Sequence, residues 1–515
     1  MGVATQGGPH PPAVGGCGDQ SAVSLRDVVR HFGRFAALRG ITADFAPGRL
    51  YVLLGENGAG KTTLLRVIAG LLEPSRGAVR VLGSENIRAV ATRFGYMGHA
   101  PLLYDEMSAM ENLKYFSALY GINDRARCQE VIRTVGLDPT LARRVGQYSQ
   151  GMRQRISLAR AIVHGPELLF LDEPFSNVDV RSARQMTTLL AAMRDQGTTI
   201  FVVTHQAALM EPVADESIVL DAGRLVAREK GMPSRLLSPY SAAESVALRR
   251  DPSGACAPHL PQSADVGVAP QHPEGPRPIA RKPQGQAMTS TPSLWDITRR
   301  TLAKDLRLEW RSKDAINSML FFALLVVVIF SFGFDPTAEE SRKIAGGLLW
   351  VAILFATVVA LNQTWTRELR NEVLDAYRLS PAPPQALFLA KTVGNFIFVA
   401  ILEVLMVPLF VVFYNLRSVG PVWQLAVVAL LATWALVVNG TFFAALSIRT
   451  RSREIMLPLI LFPISIPALL AMVDATTSIL TGDNSPVFWI RLLAVYDLVF
   501  TIVGLLLFEP VLNAE

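Results

Sequence analysis

Gly55-Glu56-Asn57-Gly58-Ala59-Gly60-Lys61-Thr62-Thr63 is the stretch on which the reading of the fold turns. It fits the phosphate-loop pattern G-x-x-x-x-G-K-[ST] without a gap. The apolar run Leu50-Tyr51-Val52-Leu53-Leu54 precedes it, and a helix-like segment from Leu64 to Leu72 follows. That order, strand then glycine loop then helix, is what phosphate binding needs. Glycines let the backbone wrap close to an anion, successive N–H groups point inward, and the helix start adds its positive end. In such a loop Gly55, Glu56, Asn57, Gly58, Ala59, Gly60, Lys61, Thr62 and Thr63 surround the phosphates of a nucleotide. Lys61 would hold the β and γ phosphates and Thr62 would ligate Mg2+.

Outward from the loop, the chain divides in two. It has 515 residues, half of them hydrophobic, and a mean hydropathy of +0.32. Almost all long apolar runs lie after position 315, so a soluble half precedes a membrane half. Residues 1–20 are rich in Gly and Pro without periodicity and read as a disordered tail. Residues 21–235 alternate apolar strands (50–54, 168–171, 199–203) with helical stretches, the pattern of an α/β domain with a largely parallel sheet. Residues 97–164 look like an inserted helical subdomain. Residues 236–293 form a linker, rich in Pro, Gly, Gln and Ala from 251 on; a coil of that length from 251 reaches roughly 35 Å. No apolar h-region opens the chain, so no cleaved signal is expected.

The membrane half, residues 294–515, starts with a helix at 295–313. Leu302, Leu306 and Trp310 recur every four residues among Arg299, Arg300, Lys304, Arg307 and Arg311, which predicts an amphipathic helix on the membrane surface. Six spans follow, at 316–334, 344–361, 392–414, 422–448, 455–473 and 487–508. With the first span starting from the cytoplasm, the inner loops carry seven Lys or Arg and the outer loops three (Arg342, Lys343, Arg417). That asymmetry puts both termini and the soluble half in the cytoplasm. The net charge of +6 fits positive-inside bias beside an anionic membrane better than nucleic-acid binding, because aromatic–basic interleaving is absent. Three scattered cysteines (Cys17, Cys128, Cys256) argue against a disulfide framework or a zinc site.

Further motifs surround the loop. Asp172 and Glu173 end the apolar strand, about 110 residues after it. A lone Asp-Glu pair is usually a solvated turn. At a strand end beside a phosphate loop, the first carboxylate can hold Mg2+ and the second can polarise the attacking water. Upstream, Tyr148-Ser149-Gln150-Gly151-Met152 precedes a helix, another anion-binding end. Downstream lie Ser176-Asn177-Val178-Asp179 and Thr204-His205.

This ordered set resembles the ABC ATPase family over about residues 24–232. The resemblance implies a RecA-like core with a helical subdomain, and ATP hydrolysis with Mg2+. It implies that Phe32 stacks on adenine and that Glu173 and His205 are catalytic. Thr62, Asp172 and His99 become the Mg2+ set and Asp179 the D-loop. Ser149, Gln150, Gly151 and Met152 become a signature that closes on the ATP of a second copy, so a homodimer is expected. Two departures stand out: the signature reads Y-S-Q-G-M rather than L-S-G-G-Q, and His99 takes the Q-loop position.

The membrane half adds its own resemblance. Residues 368–383, Glu-Leu-Arg-Asn-Glu-Val-Leu-Asp-Ala-Tyr-Arg-Leu-Ser-Pro-Ala-Pro, are similar to the coupling segment of ABC-2-type exporters, with Glu368 as a candidate coupling residue. Leu348-Leu349-Trp350-Val351, Leu361-Asn362 and Ala390-Lys391-Thr392 look like the membrane (B) subunit of the cytochrome c maturation ABC complex. The Gly98-His99-Ala100-Pro101 and Tyr148–Met152 stretches look like its ATPase (A) subunit. The chain thus resembles an A–B fusion in a bacterial inner membrane, in contact with membrane lipids, a haem-handling membrane partner and a haem chaperone. All seven histidines (His10, His31, His99, His164, His205, His259, His272) and all cysteines precede the membrane half, and no tryptophan-rich haem-handling stretch occurs. Haem iron is held by His, Cys, Met or Tyr. The expectation is therefore ATP-driven release of a haem-loaded chaperone rather than carriage of ligated haem. An exporter of lipid, glycan or drug and an ATP-driven mechanotransmitter are the competing readings. Two intramembrane features stand apart. Glu403 sits mid-span with Lys391 and Asn395 on one stripe, either a coupling residue or part of a polar seam. Pro458, Pro463 and Pro467 punctuate the fifth span, as kinks or a hinge.

Overall fold

The computed structural model describes residues 21–232, 292–312, 314–333, 339–413, 421–448, 453–482 and 484–513. The tail expected at 1–20 and nearly all of the linker expected at 236–293 lie outside the described residues, as do the loop at 414–420 and parts of the loops at 335–343 and 449–454.

In the first half, β1 (Val23–Phe32), β2 (Phe35–Phe45) and β4 (Arg76–Val81) form an antiparallel three-stranded sheet in the order β2-β1-β4. A second sheet carries the site. It joins β3 (Leu50–Leu54), β5 (Phe94–Met97), β6 (Leu168–Asp172), β7 (Thr199–Val203), β8 (Glu216–Asp221) and β9 (Arg224–Lys230) in the order β5-β6-β7-β3-β8-β9. Only β8–β9 is antiparallel. Strands β3, β6 and β7 are buried at every position, as continuous apolar runs in a parallel sheet must be. Helix α1 (Lys61–Ile68) follows β3. It starts at Lys61 rather than Leu64, and Gly70, at φ 73°, lies just past its end, short of the expected Leu72. Helices α2 (Ala109–Leu119), α3 (Arg125–Thr134) and α4 (Gln150–Ile162) fill the interval between β5 and β6. Helices α5 (Val180–Asp195) and α6 (Ala207–Met210) flank β7.

The second half is all helix. It comprises α7 (Leu294–Ser312), α8 (Asp314–Gly333), α9 (Glu339–Thr364), the short α10 (Thr366–Arg370) and α11 (Leu374–Arg378), then α12 (Pro384–Phe413), α13 (Val422–Ser447), α14 (Arg453–Thr481) and α15 (Val487–Asn513). Among the described residues five helices are long and apolar enough to cross a membrane. The count becomes six when the stretch 294–312 plus 317–329, bent by 68°, is taken as one span. Helix α14 passes through Pro458, Pro463 and Pro467 without a break and continues beyond the expected end to Thr481.

Helix α7 departs from its expected setting. One side of it is wedged between the cassette and α12, which takes Leu302 out of the expected Leu302/Leu306/Trp310 stripe and leaves Trp310 exposed. Its buried face is Ile297, Thr301, Lys304 and Leu308, and Leu302 lies against Gly394 of α12. The leucine spacing missed this because the buried face carries a lysine and a threonine, whose polarity is met by partners. Glu403 is buried and accepts from the Thr433 hydroxyl of α13, while Asn395 donates to Thr441 of the same helix. Both contacts match the polar-seam reading of that stripe.

Candidate functional site

Parallel pairing aligns Leu53 of β3 and Asp172 of β6 with Val203 of β7. The three strand ends are therefore level, and the segments that follow them meet in one place, where open α/β sheets bind ligands. A cavity of about 590 Å³ opens there. It is lined by Asn57 through Thr63, by Asp172 and Glu173, by His99 and His205, and by Phe32. Gly55 and Glu56 are not on its wall; their carbonyls accept from Lys61 Nζ at 2.8 and 2.9 Å, folding the lysine back on its own loop.

Backbone conformation fixes the loop. Gly55 has φ 145° and Gly60 φ 97°; a Cβ on Gly60 would stand 2.6 Å from the Ala37 carbonyl oxygen. Only glycine fits there. Thr62, in the first turn of α1, donates from Oγ1 to Asp172 Oδ1 at 3.1 Å. Glu173 follows in the left-handed region, φ 52°, strain of the kind held where a site requires it. Its N–H donates to the Val203 carbonyl at 2.9 Å, and its Oε2 accepts from the His205 N–H at 3.3 Å. His205 Nε2 lies 3.4 Å from Glu173 Oε1.

Burial raises the Glu173 carboxyl above its ordinary range, and the Asp172 charge adds to this, while His205 and Lys61 oppose it. Burial also raises Asp172, against the Thr62 hydrogen bond and the His99, Arg66 and Lys61 charges. The Lys61 ammonium is lowered by burial, against Glu173 and Asp172. The site thus holds a cation and two carboxylates that lack full solvation, ready to exchange one another for an anion, a metal or a proton.

Phe32 and Phe35, opposite each other in the β1–β2 hairpin, are 46% and 59% exposed and both line the cavity. Ser176, which opens the Ser176–Asp179 stretch, lines the cavity too, whereas Phe35 and Ala37 were not singled out by the sequence reading; an aromatic pair at a hairpin tip was the available signal for Phe35. Ser149, Gln150, Gly151 and Met152 do not line the cavity. Ser149 caps α4, its Oγ accepting from the Met152 N–H at 3.3 Å, and Met152 Sδ accepts from Arg143 at 3.3 Å. Asp179 caps α5 through the Ser182 N–H at 2.9 Å.

A second cluster joins the halves. Glu368 of α10, 1% exposed, lies 2.7 Å from Lys391 of α12 and 3.2 Å from Lys304 of α7, both through Oε1. Lys304 Nζ also donates to the Tyr104 hydroxyl of the cassette at 2.8 Å and meets Asp305 at 2.9 Å. Arg66 of α1 reaches Asp375 of α11 at 3.1 Å. Tyr104 lies five residues after His99, so a short loop runs from the nucleotide cavity to this seam. The sequence marked Glu368, but no local pattern marked Tyr104 or its lysine partner.

The ABC transporter family matches residues 38–176, and the family described as CcmB protein matches residues 297–509. The ABC transporter ATP-binding protein NatA of Bacillus subtilis is 36% identical over 37% of this chain and 81% of its own length. The bacitracin transport ATP-binding protein BcrA of Bacillus licheniformis is 31% identical over 40% of this chain and 68% of its own. A solved structure of cbiO1 from Clostridium perfringens, part of an ABC transporter complex, is 23% identical over 45% of this chain and 96% of that one, with a TM-score of 0.39. The two curated relatives correspond to the cassette half alone. With its phosphate loop, level strand ends and helical second half, the chain belongs to the ABC transporter family: an ATP-hydrolysing cassette fused to a CcmB-family membrane domain.

Proposed function

We propose that this ATP-driven transporter serves c-type cytochrome biogenesis, using ATP to drive release of a haem-loaded chaperone from a membrane partner. The observation that carries the reading is the CcmB-family match across nearly the whole membrane half. The absence of His and Cys after position 293 supports work on a partner over carriage of His-ligated haem. Export of another cargo is the second reading, favoured by the relative named for bacitracin transport. That relative matches the cassette, which is the generic half, and leaves the membrane half unaccounted for. The third, a mechanotransmitter in which nothing crosses, is the limiting form of the first.

In the chemical step, the loop from Gly55 to Thr63 takes the phosphates, and Lys61 exchanges its two loop carbonyls for β and γ oxygens. Phe32 and Phe35 offer ring faces to the base. Thr62 and Asp172 already face each other, a hard oxygen pair suited to Mg2+, and His99 lines the same cavity. Thr62 and Asp172 would hold Mg2+, which would supply positive charge against the phosphates. Glu173 orients and deprotonates the attacking water, held by the His205 N–H, while the His205 ring contacts the γ-phosphate. Ser149 and Gly151 lie off the cavity at the start of α4, which supports a homodimer in which each signature closes the other copy's site. Met152 brings no amide to that closure. Two copies give twelve spans, with both termini on the cytoplasmic side of a bacterial inner membrane.

The test is haem staining of c-type cytochromes in cells whose sole copy carries Glu173→Gln. Loss of the staining at normal protein abundance is the expected result. Undiminished cytochromes would refute the assignment.

A further inference from the structure

Helix α7 has work on two sides. Its inner face grips the cassette: Thr301 lies 3.3 Å from the Tyr115 hydroxyl, Lys304 donates to Tyr104, and Arg311 bonds Glu111 at 2.9 Å. Its outer stripe, at three- and four-residue spacing, is Trp295, Arg299, Ala303, Leu306 and Trp310. The two tryptophans are 72% and 76% exposed. Arg299 meets Asp296 only at 3.7 Å and is open to solvent, a pairing that holds it weakly. The chain then turns by 68° into the apolar stretch 317–329, so α7 meets the bilayer at its own C-terminal end.

Ring systems with one apolar body and one polar edge settle at the headgroup level, and arginine between them adds attraction to anionic lipid. We propose that the outer stripe of α7 docks on anionic phospholipid headgroups of the leaflet beside the cassette, and that this contact accelerates ATP hydrolysis. The lipid holds one face of a helix whose other face holds Tyr104, five residues from His99 in the nucleotide cavity. Lipid is favoured over a second copy of the chain because the stripe sets an exposed arginine between two exposed tryptophans and leads directly into the apolar stretch 317–329.

The test compares ATPase rates of the full-length protein in nanodiscs of phosphatidylcholine alone and of phosphatidylcholine with 30% phosphatidylglycerol. With one exposed arginine near an anionic surface, the rate is expected to rise about threefold to tenfold in the anionic discs, and the rise should fade in high salt. The triple variant Trp295→Ala, Arg299→Gln, Trp310→Ala should bring the ratio of the two rates close to one, while Trp295→Phe with Trp310→Phe keeps it. If the triple variant is inactive, quenching by dibrominated phosphatidylglycerol decides: the wild type should lose more tryptophan emission than the triple variant loses. Equal rates of the wild type in the two discs, a triple variant that keeps the wild-type ratio, or equal quenching, as when a second copy covers the stripe, would overturn the proposal.

Discussion

The nucleotide cavity and the seam between the halves use the same side chains to opposite ends. In the cavity, Lys61, Asp172 and Glu173 stand close together but are only lightly satisfied: Lys61 rests on two carbonyls of its own loop, and Glu173 leans on His205. In the seam, Glu368 is closed between two lysines, and Lys304 is further held by Tyr104 and Asp305. Charges kept loose can be exchanged for those of a ligand. Charges locked together in a buried place hold the packed segments in register, and here Asp305 meets both lysines as well, at 2.9 and 3.2 Å. One region is open to exchange and the other is closed on itself.

The first way to break that contrast is Glu173→Gln. Removing a positioned base lowers turnover by roughly 10²–10⁴-fold, so hydrolysis in the purified protein should nearly vanish while ATP still binds. A variant that hydrolyses at the wild-type rate would show that Glu173 is not the base. The seam comes next: Glu368→Gln leaves Lys304 and Lys391 to share Asp305, at 2.9 and 3.2 Å, and the loss of their charged hydrogen bonds to Glu368 should cost about 1–3 kcal/mol, read as a lower midpoint in thermal unfolding.

A third effect sharpens the difference by pH. Burial pushes the His164 imidazole down to about 4, against the Phe94 carbonyl contact, with the Arg160 and Arg127 charges helping. The unfolded chain takes that proton near 6.5 and the folded chain only near 4. The stability His164 contributes is therefore complete above 6.5 and lost as pH falls from 6.5 to 4, on the order of 3 kcal/mol in all. His164→Asn should flatten that acid limb in pH-dependent melting. The smallest expected effect is at the surface. Arg26 and Asp44 pair at 2.8 Å with both side chains about half exposed, so Arg26→Ala should cost no more than about 1 kcal/mol.

The cavity was largely legible in the sequence because its parts are local words: a glycine loop, an Asp-Glu pair at a strand end, a histidine after a β run. Parallel pairing then brings them level, and Phe35 and Ala37 required the fold. The seam was mostly illegible. Tyr104, Lys304, Glu368 and Lys391 are scattered over four segments, and a lysine on a helix reads as solvated until its partners are placed. The buried face of α7 was hidden for the same reason: its periodic leucines stand out in the sequence, while the buried contacts run through Thr301 and Lys304. Asp497 on α15 was passed over as well, although it is buried with no hydrogen-bond partner for either oxygen among the described residues.

Glu368, held between Lys304 and Lys391 where the cassette meets the membrane half, is the candidate coupling residue. Its most direct test is Glu368→Gln in cells, with ATP hydrolysis by isolated membranes and c-type cytochrome content read from the same culture at equal protein abundance. The account predicts that hydrolysis persists while cytochrome content falls several-fold. Cytochrome content equal to the wild type's would contradict it.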